Sequence, residues 1–76
     1  MKSVTIKLTQ AEEVKEFVNT VNRYEYEMDL RAGRHVVDAK SILGIFSLDL
    51  SKPIELNIHA EEEADAVIEA LKPYIV

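Results

Sequence analysis

No cysteine and no tryptophan occur in the 76 residues, and glycine and proline appear only twice each. Without cysteine the chain has no disulfide, no thiolate metal ligand and no thiol nucleophile. A single apolar core therefore has to hold it. A chain of this length buries only about 60% of the surface its unfolded form exposes, so one domain, residues 1–76, is expected.

Long apolar runs are missing too. None approaches the roughly 20 residues that a membrane-spanning helix needs. The first residues, MKSVTIKLTQAEE, contain neither an apolar signal core nor a small-residue cleavage site, and an intact cytoplasmic chain is the expectation. Basic charge is also scarce: 14 acidic residues face 9 basic ones, for a net charge of −5. Nucleic-acid affinity is built mainly on phosphate contacts to a basic stripe. Here only Arg31 and Arg34 stand close together, so a nucleic-acid partner is not expected.

What is present is a clear sequence of periodicities. Val4, Ile6 and Leu8 alternate with Ser3, Thr5 and Lys7, which predicts a half-buried strand over 3–8. Thr9-x-x-Glu12 reads as a capping box opening a helix, in which Val14, Phe17, Val18 and Val21 form one apolar stripe. Period two returns over 24–30, with Tyr24, Tyr26, Met28 and Leu30 on one side. The segment 31–34, with Gly33, predicts a hairpin turn before a third strand. Residues 41–48 read as a short helix, and 54–59 as a fourth strand after Pro53. The last segment predicts a helix with Ala64, Ile68, Leu71 and Ile75 along one side. Glu61–Glu63 would form its acidic first turn, and Pro73 would end it.

The order is β-α-β-β-α-β-α. Each strand has one apolar and one polar face, so the expected fold is α+β: an open-faced sandwich of a four-stranded antiparallel sheet with three helices on one face.

Few residues of this chain suggest chemistry. Glu25, Glu27, Asp29, Asp38 and Glu55 gather on the polar sheet face, but a flat face offers no cleft in which carboxylates could do acid–base work. No nucleophile or oxyanion-hole motif accompanies them. His59 is expected on the open face and His35 just past the hairpin turn. With no cysteine near them, no metal site and no cofactor are expected. Ser41 is placed to cap the short helix, a contact worth about 1 kcal/mol. Behind it Ile42, Leu43, Ile45, Phe46 and Leu48 cover too wide an arc for two helical turns to bury. Ile42, Leu43 and Phe46 are the candidate docking patch.

The segment KSILGIFSLDLSKPIELNI (40–58) resembles HPr, the phosphocarrier family of the bacterial sugar phosphotransferase system. Lys40, Ser41, Ile42, Gly44, Ser47 and Leu48 match that family's Lys-Ser-Ile-x-Gly-x-x-Ser-Leu pattern, and Tyr24 stands where the family often has Tyr after its first helix. The element order extends the resemblance over the whole chain. It implies a cytoplasmic protein of protein–protein contacts: with a phosphotransferase-system enzyme, with HPr kinase, or with a transcriptional regulator. It also implies that Ser41 is the target of a regulatory kinase.

The family's other signature, a Gly-x-His-Ala-Arg-Pro-Ala loop before the first helix, has no match. This chain runs KLTQAEEVKEF there, with no His, Arg or Pro and about five residues fewer. The resemblance therefore implies a non-enzymatic module that has lost phosphocarrier activity, docks through its second helix and is switched at Ser41. Two alternatives stay open: a phosphocarrier that uses His59 or His35 instead, and a small structural subunit or homodimer.

Overall fold

The computed structural model describes all residues, Met1–Val76. Its elements are β1 (Lys2–Ile6), α1 (Ala11–Val21), β2 (Met28–Ala32), β3 (His35–Asp38), α2 (Ile42–Phe46), β4 (Ile54–Ile58) and α3 (Ala64–Ala70). A 3-10 turn, Lys72–Tyr74, follows. The strands form one antiparallel sheet in the order β1-β4-β2-β3. This is the expected α+β open-faced sandwich, with the helices packed on one face.

The alternation read from the sequence sets the register. Val4 pairs with Leu56, which pairs in turn with Leu30, and all three point towards the helices. The neighbouring row, Ser3, Asn57, Asp29 and Asp38, lines the open face. Sixteen apolar side chains form the buried cluster, with Phe17, Val14 and Val21 of α1, Val67 and Leu71 of the C-terminal segment, and Ile45 of α2 fully enclosed. Each large side chain so buried contributes about 1.5–3 kcal/mol, and this cluster does the work that disulfides do in other small domains.

The hairpin turn falls where Gly33 predicts it. Ala32 pairs with His35 across a two-residue turn, and Gly33, at φ 61°, is the one residue with positive φ. A glycine in the first central position avoids the Cβ clash which that backbone imposes.

Several boundaries differ from the periodicity. β1 ends at Ile6, although Leu8 still reaches the core. Residues 24–27 alternate like a strand but lie outside β2, so Glu25 and Glu27 stand before the sheet. Tyr24 and Tyr26 stack on each other there, ring centroids 6.5 Å apart. α3 begins at Ala64, so Glu61–Glu63 precede it and Asp65 is the acid of its first turn. Glu61 and Asp65 instead hold the N-terminal strand, through the Met1 amine and the Lys2 ammonium. Val67, not Ile68, supplies the buried apolar group at the middle of α3.

Candidate functional site

α2 is only five residues long and carries Gly44 in its middle, so intrinsic propensity cannot sustain it. Its ends and its underside hold it. The Ser41 Oγ accepts from the Gly44 N–H at 3.1 Å, the N-cap read from the sequence. The Asp38 carboxylate accepts from the Lys40 N–H, and the Asp38 carbonyl from the Ser41 N–H. Past the far end the Lys7 ammonium binds the carbonyls of Leu50 and Ser51, and at the near end the Lys40 ammonium binds the Tyr24 carbonyl. Underneath, Ile45 and Leu48 are buried.

The three candidate docking residues separate. Leu43 is 80% exposed and Phe46 43% exposed. Three positions apart, they share the outer side of α2. Ile42 is half-buried against the core and contributes only an edge. The outer side of α2 is therefore a two-residue apolar patch, smaller than the sequence suggests.

The start of α1 differs by one residue from its reading. The N-cap is Gln10, not Thr9, and the carboxylate that reaches back is Glu13, not Glu12. Glu13 Oε1 accepts from the Thr9 hydroxyl at 2.6 Å, the Thr9 amide at 2.8 Å and the Gln10 amide at 3.2 Å. The Thr9 hydroxyl and amide bonds hold the Glu13 carboxyl below the ordinary glutamate range. The donors ahead of this helix thus already serve an anion of the same chain, with Glu12 beside it in the first turn.

On the open face the sequence missed a relay. Ser3 Oγ donates to Asn57 Oδ1 at 2.6 Å, Asn57 Nδ2 donates to Asp29 Oδ1 at 2.8 Å, and His59 Nε2 lies 2.7 Å from Asp29 Oδ2. Asn57, the one buried polar residue, is satisfied by it. His59 is exposed as expected but paired, which the sequence alone did not indicate; only the register that sets Asp29 opposite Asn57 could have shown it. Nor is the face flat. Glu27, Asp29, Asp38, Val36, Lys40 and His59 line an open cleft of about 390 Å³.

In this cleft Asp29 is held in its charged form. Burial pushes the Asp29 carboxyl up, but bonds from His59 and Asn57 and the charges of His59 and Arg31 outweigh it and hold the group below the ordinary aspartate range. A general acid needs the opposite displacement. His35 lies exposed on β3 beside the hairpin turn, whereas β4 stops at Ile58 and His59 falls just past it, one residue short of the strand expected over 54–59. No three His, Asp or Glu side chains converge as a metal site would require, and no helix is long and apolar enough to cross a membrane.

A four-stranded β1-β4-β2-β3 sheet backed by three helices, the second capped by a serine, defines a class of small open-faced sandwiches. The family model described as PTS HPr component phosphorylation site matches residues 2–76, and the chain belongs to that family. Among solved structures, HPr-C-His from Thermoanaerobacter tengcongensis is 30% identical, with a TM-score of 0.76 over 93% of this chain and 90% of that one. Phosphocarrier protein HPr from Bacillus anthracis is 29% identical, with a TM-score of 0.73 over 99% and 94%. The catabolite repression containing protein Crh of Bacillus subtilis, solved as a swapped, intertwined dimer, is 30% identical, with a TM-score of 0.69 over 91% and 80%. No curated protein matches the chain.

Proposed function

We propose that this chain is an HPr-family interaction module that does not carry phosphoryl groups, acts without catalysing a reaction, and docks a protein partner through α2, with Ser41 as its switch. The observation that carries the reading is the division of labour in α2. Ile45 and Leu48 serve the core, while Leu43 and Phe46 stand in solvent directly behind the Ser41 cap. A domain of this size leaves large apolar side chains together on one helix face at a cost in solubility, and such patches mark interaction surfaces.

The start of α1 supports the loss of phosphocarrier activity. Neither histidine lies before this helix, and Glu13 occupies the donors of Thr9 and Gln10. A phosphoryl group brought there would meet the Glu12 and Glu13 carboxylates. The relatives' names supply the partner class: proteins of the phosphotransferase system and of catabolite repression.

The test is incubation with Enzyme I and phosphoenolpyruvate, read by intact mass. No phosphoryl increment is expected. An increment that disappears in His59→Gln would overturn the reading in favour of a carrier on His59, whose Nε2 is held by Asp29. A second reading, a homodimer, is favoured by the swapped dimer of Crh. Light scattering across a concentration series separates it from a monomeric module.

A further inference from the structure

Alanine is the better helix former, yet Gly44 sits in the middle of α2 with φ in the ordinary helical region. Backbone conformation therefore gives no reason for glycine at this position. Contact does. A Cβ at residue 44 would stand 3.2 Å from Ser41 Oγ, 3.3 Å from Val37 Cβ and 3.4 Å from Ser41 Cβ.

Two of those three neighbours cannot step aside alone. Val37 Cβ is fixed to β3 and Ser41 Cβ to the backbone entering α2, so moving either shifts an element. The Ser41 hydroxyl is the one atom that can leave by rotating about χ1. That rotation carries Oγ away from the Gly44 N–H it now meets at 3.1 Å. The bare α-carbon at 44 thus keeps the serine hydroxyl in its cap position while α2 stays seated on β3.

We infer that Gly44 is the positioning residue for the Ser41 hydroxyl. This rests on the reading of Ser41 as the switch, and it adds the residue that sets how the hydroxyl is presented. In the modification Ser41 Oγ attacks the terminal phosphorus of ATP. The new O–P bond forms as the bond from that phosphorus to the β–γ bridging oxygen breaks. ADP leaves, and the hydroxyl proton passes to a base of the kinase. Such in-line transfer can lose about a hundredfold in rate when the attacking oxygen is misplaced by about 1 Å. A side chain at 44 therefore reduces turnover without removing any group that the kinase contacts.

The experiment uses four full-length proteins: the parent, Gly44→Ala, Ser41→Ala and the double variant, with circular dichroism confirming that each is folded. The first readout is phosphoryl incorporation by HPr kinase with ATP, followed by intact mass. Gly44→Ala is expected to lower kcat at least tenfold with KM for the protein substrate little changed. Equal rates for the parent and Gly44→Ala overturn the inference and leave the switch standing.

The second readout needs no kinase. Gly44→Ala is expected to lower the urea midpoint when residue 41 is serine, and to lower it less, or raise it, when residue 41 is alanine. If the parent takes no phosphoryl group, the switch reading fails and this cycle alone decides the role of Gly44. Equal midpoint changes in both backgrounds would show that no Gly44–Ser41 contact positions the hydroxyl.

Discussion

Phe17 and Tyr74 meet edge to face, with ring centroids 6.3 Å apart and planes at 82°. The contact joins α1 to the last residues of the chain. There the Tyr74 carbonyl accepts from the Lys7 N–H and the Val76 N–H donates to the Thr5 carbonyl, so the terminal segment pairs with the outer edge of β1. The Tyr74 hydroxyl donates to Glu16 at 3.0 Å. Aromatic pairs of this geometry contribute about 0.5–1.5 kcal/mol beyond their buried area. Tyr74→Ala is therefore expected to lose at least about 1 kcal/mol of stability, and Tyr74→Phe much less. Urea denaturation of the two variants checks the difference.

The start of α1 gives a paired test one residue apart. Glu13→Gln removes the carboxylate that accepts from Thr9 and Gln10, whereas Glu12 accepts no hydrogen bond in the structure. Thermal unfolding is expected to show a lower midpoint for Glu13→Gln and an unchanged one for Glu12→Gln. Equal midpoints would return the cap to the position that Thr9-x-x-Glu12 suggests.

Asp29 ties stability to pH. Its carboxyl is held below its ordinary value in the fold, so the unfolded chain takes up the proton first as pH falls. The contribution is fully present above the unfolded value, about 3.9, and is lost as pH drops through the lower folded value. Asp29→Asn is expected to flatten the acid side of the stability curve, read by denaturation between about pH 5 and pH 2. A variant as steeply acid-sensitive as the parent would place that sensitivity elsewhere.

Core and surface residues of α2 should respond differently. Ile45 is fully buried, and Ile45→Ala is expected to cost about 2–5 kcal/mol. Leu43 is mostly exposed, and Leu43→Ala should stay within about 0.5 kcal/mol of the parent. Loss of partner capture by Leu43→Ala and Phe46→Ala, with unfolding midpoints unchanged, is the outcome that the docking assignment predicts.

The fold was legible because β1, β2 and β4 alternate and the longer helices carry a stripe: Val4, Ile6, Leu30, Leu56 and Ile58 all face inward as their spacing requires, whereas β3 does not alternate and leaves Val36 exposed on the open face. Local alternation misled at 24–27, where Tyr24 and Tyr26 stack on each other outside any strand. The Thr9/Gln10 ambiguity is inherent in a run where two acids follow in succession and either can reach back. Ser41 as a cap could be read locally, since its acceptor role spans three residues. The Ser3–Asn57–Asp29–His59 relay could not, because its members lie up to 56 positions apart and meet only through strand register. The same holds for the exposure of Leu43 and Phe46. Their apolar character is visible in the sequence, but which side of a two-turn helix faces the sheet is set by its packing on β3 and α1.

The most direct measurement is intact-protein mass after incubation with HPr kinase and ATP, with Ser41→Ala alongside. A single phosphoryl increment in the parent and none in the variant is the result expected of a module switched at the cap of α2. An unchanged parent mass would contradict the switch and leave Ser41 as a helix cap in an HPr-family protein that works by binding alone.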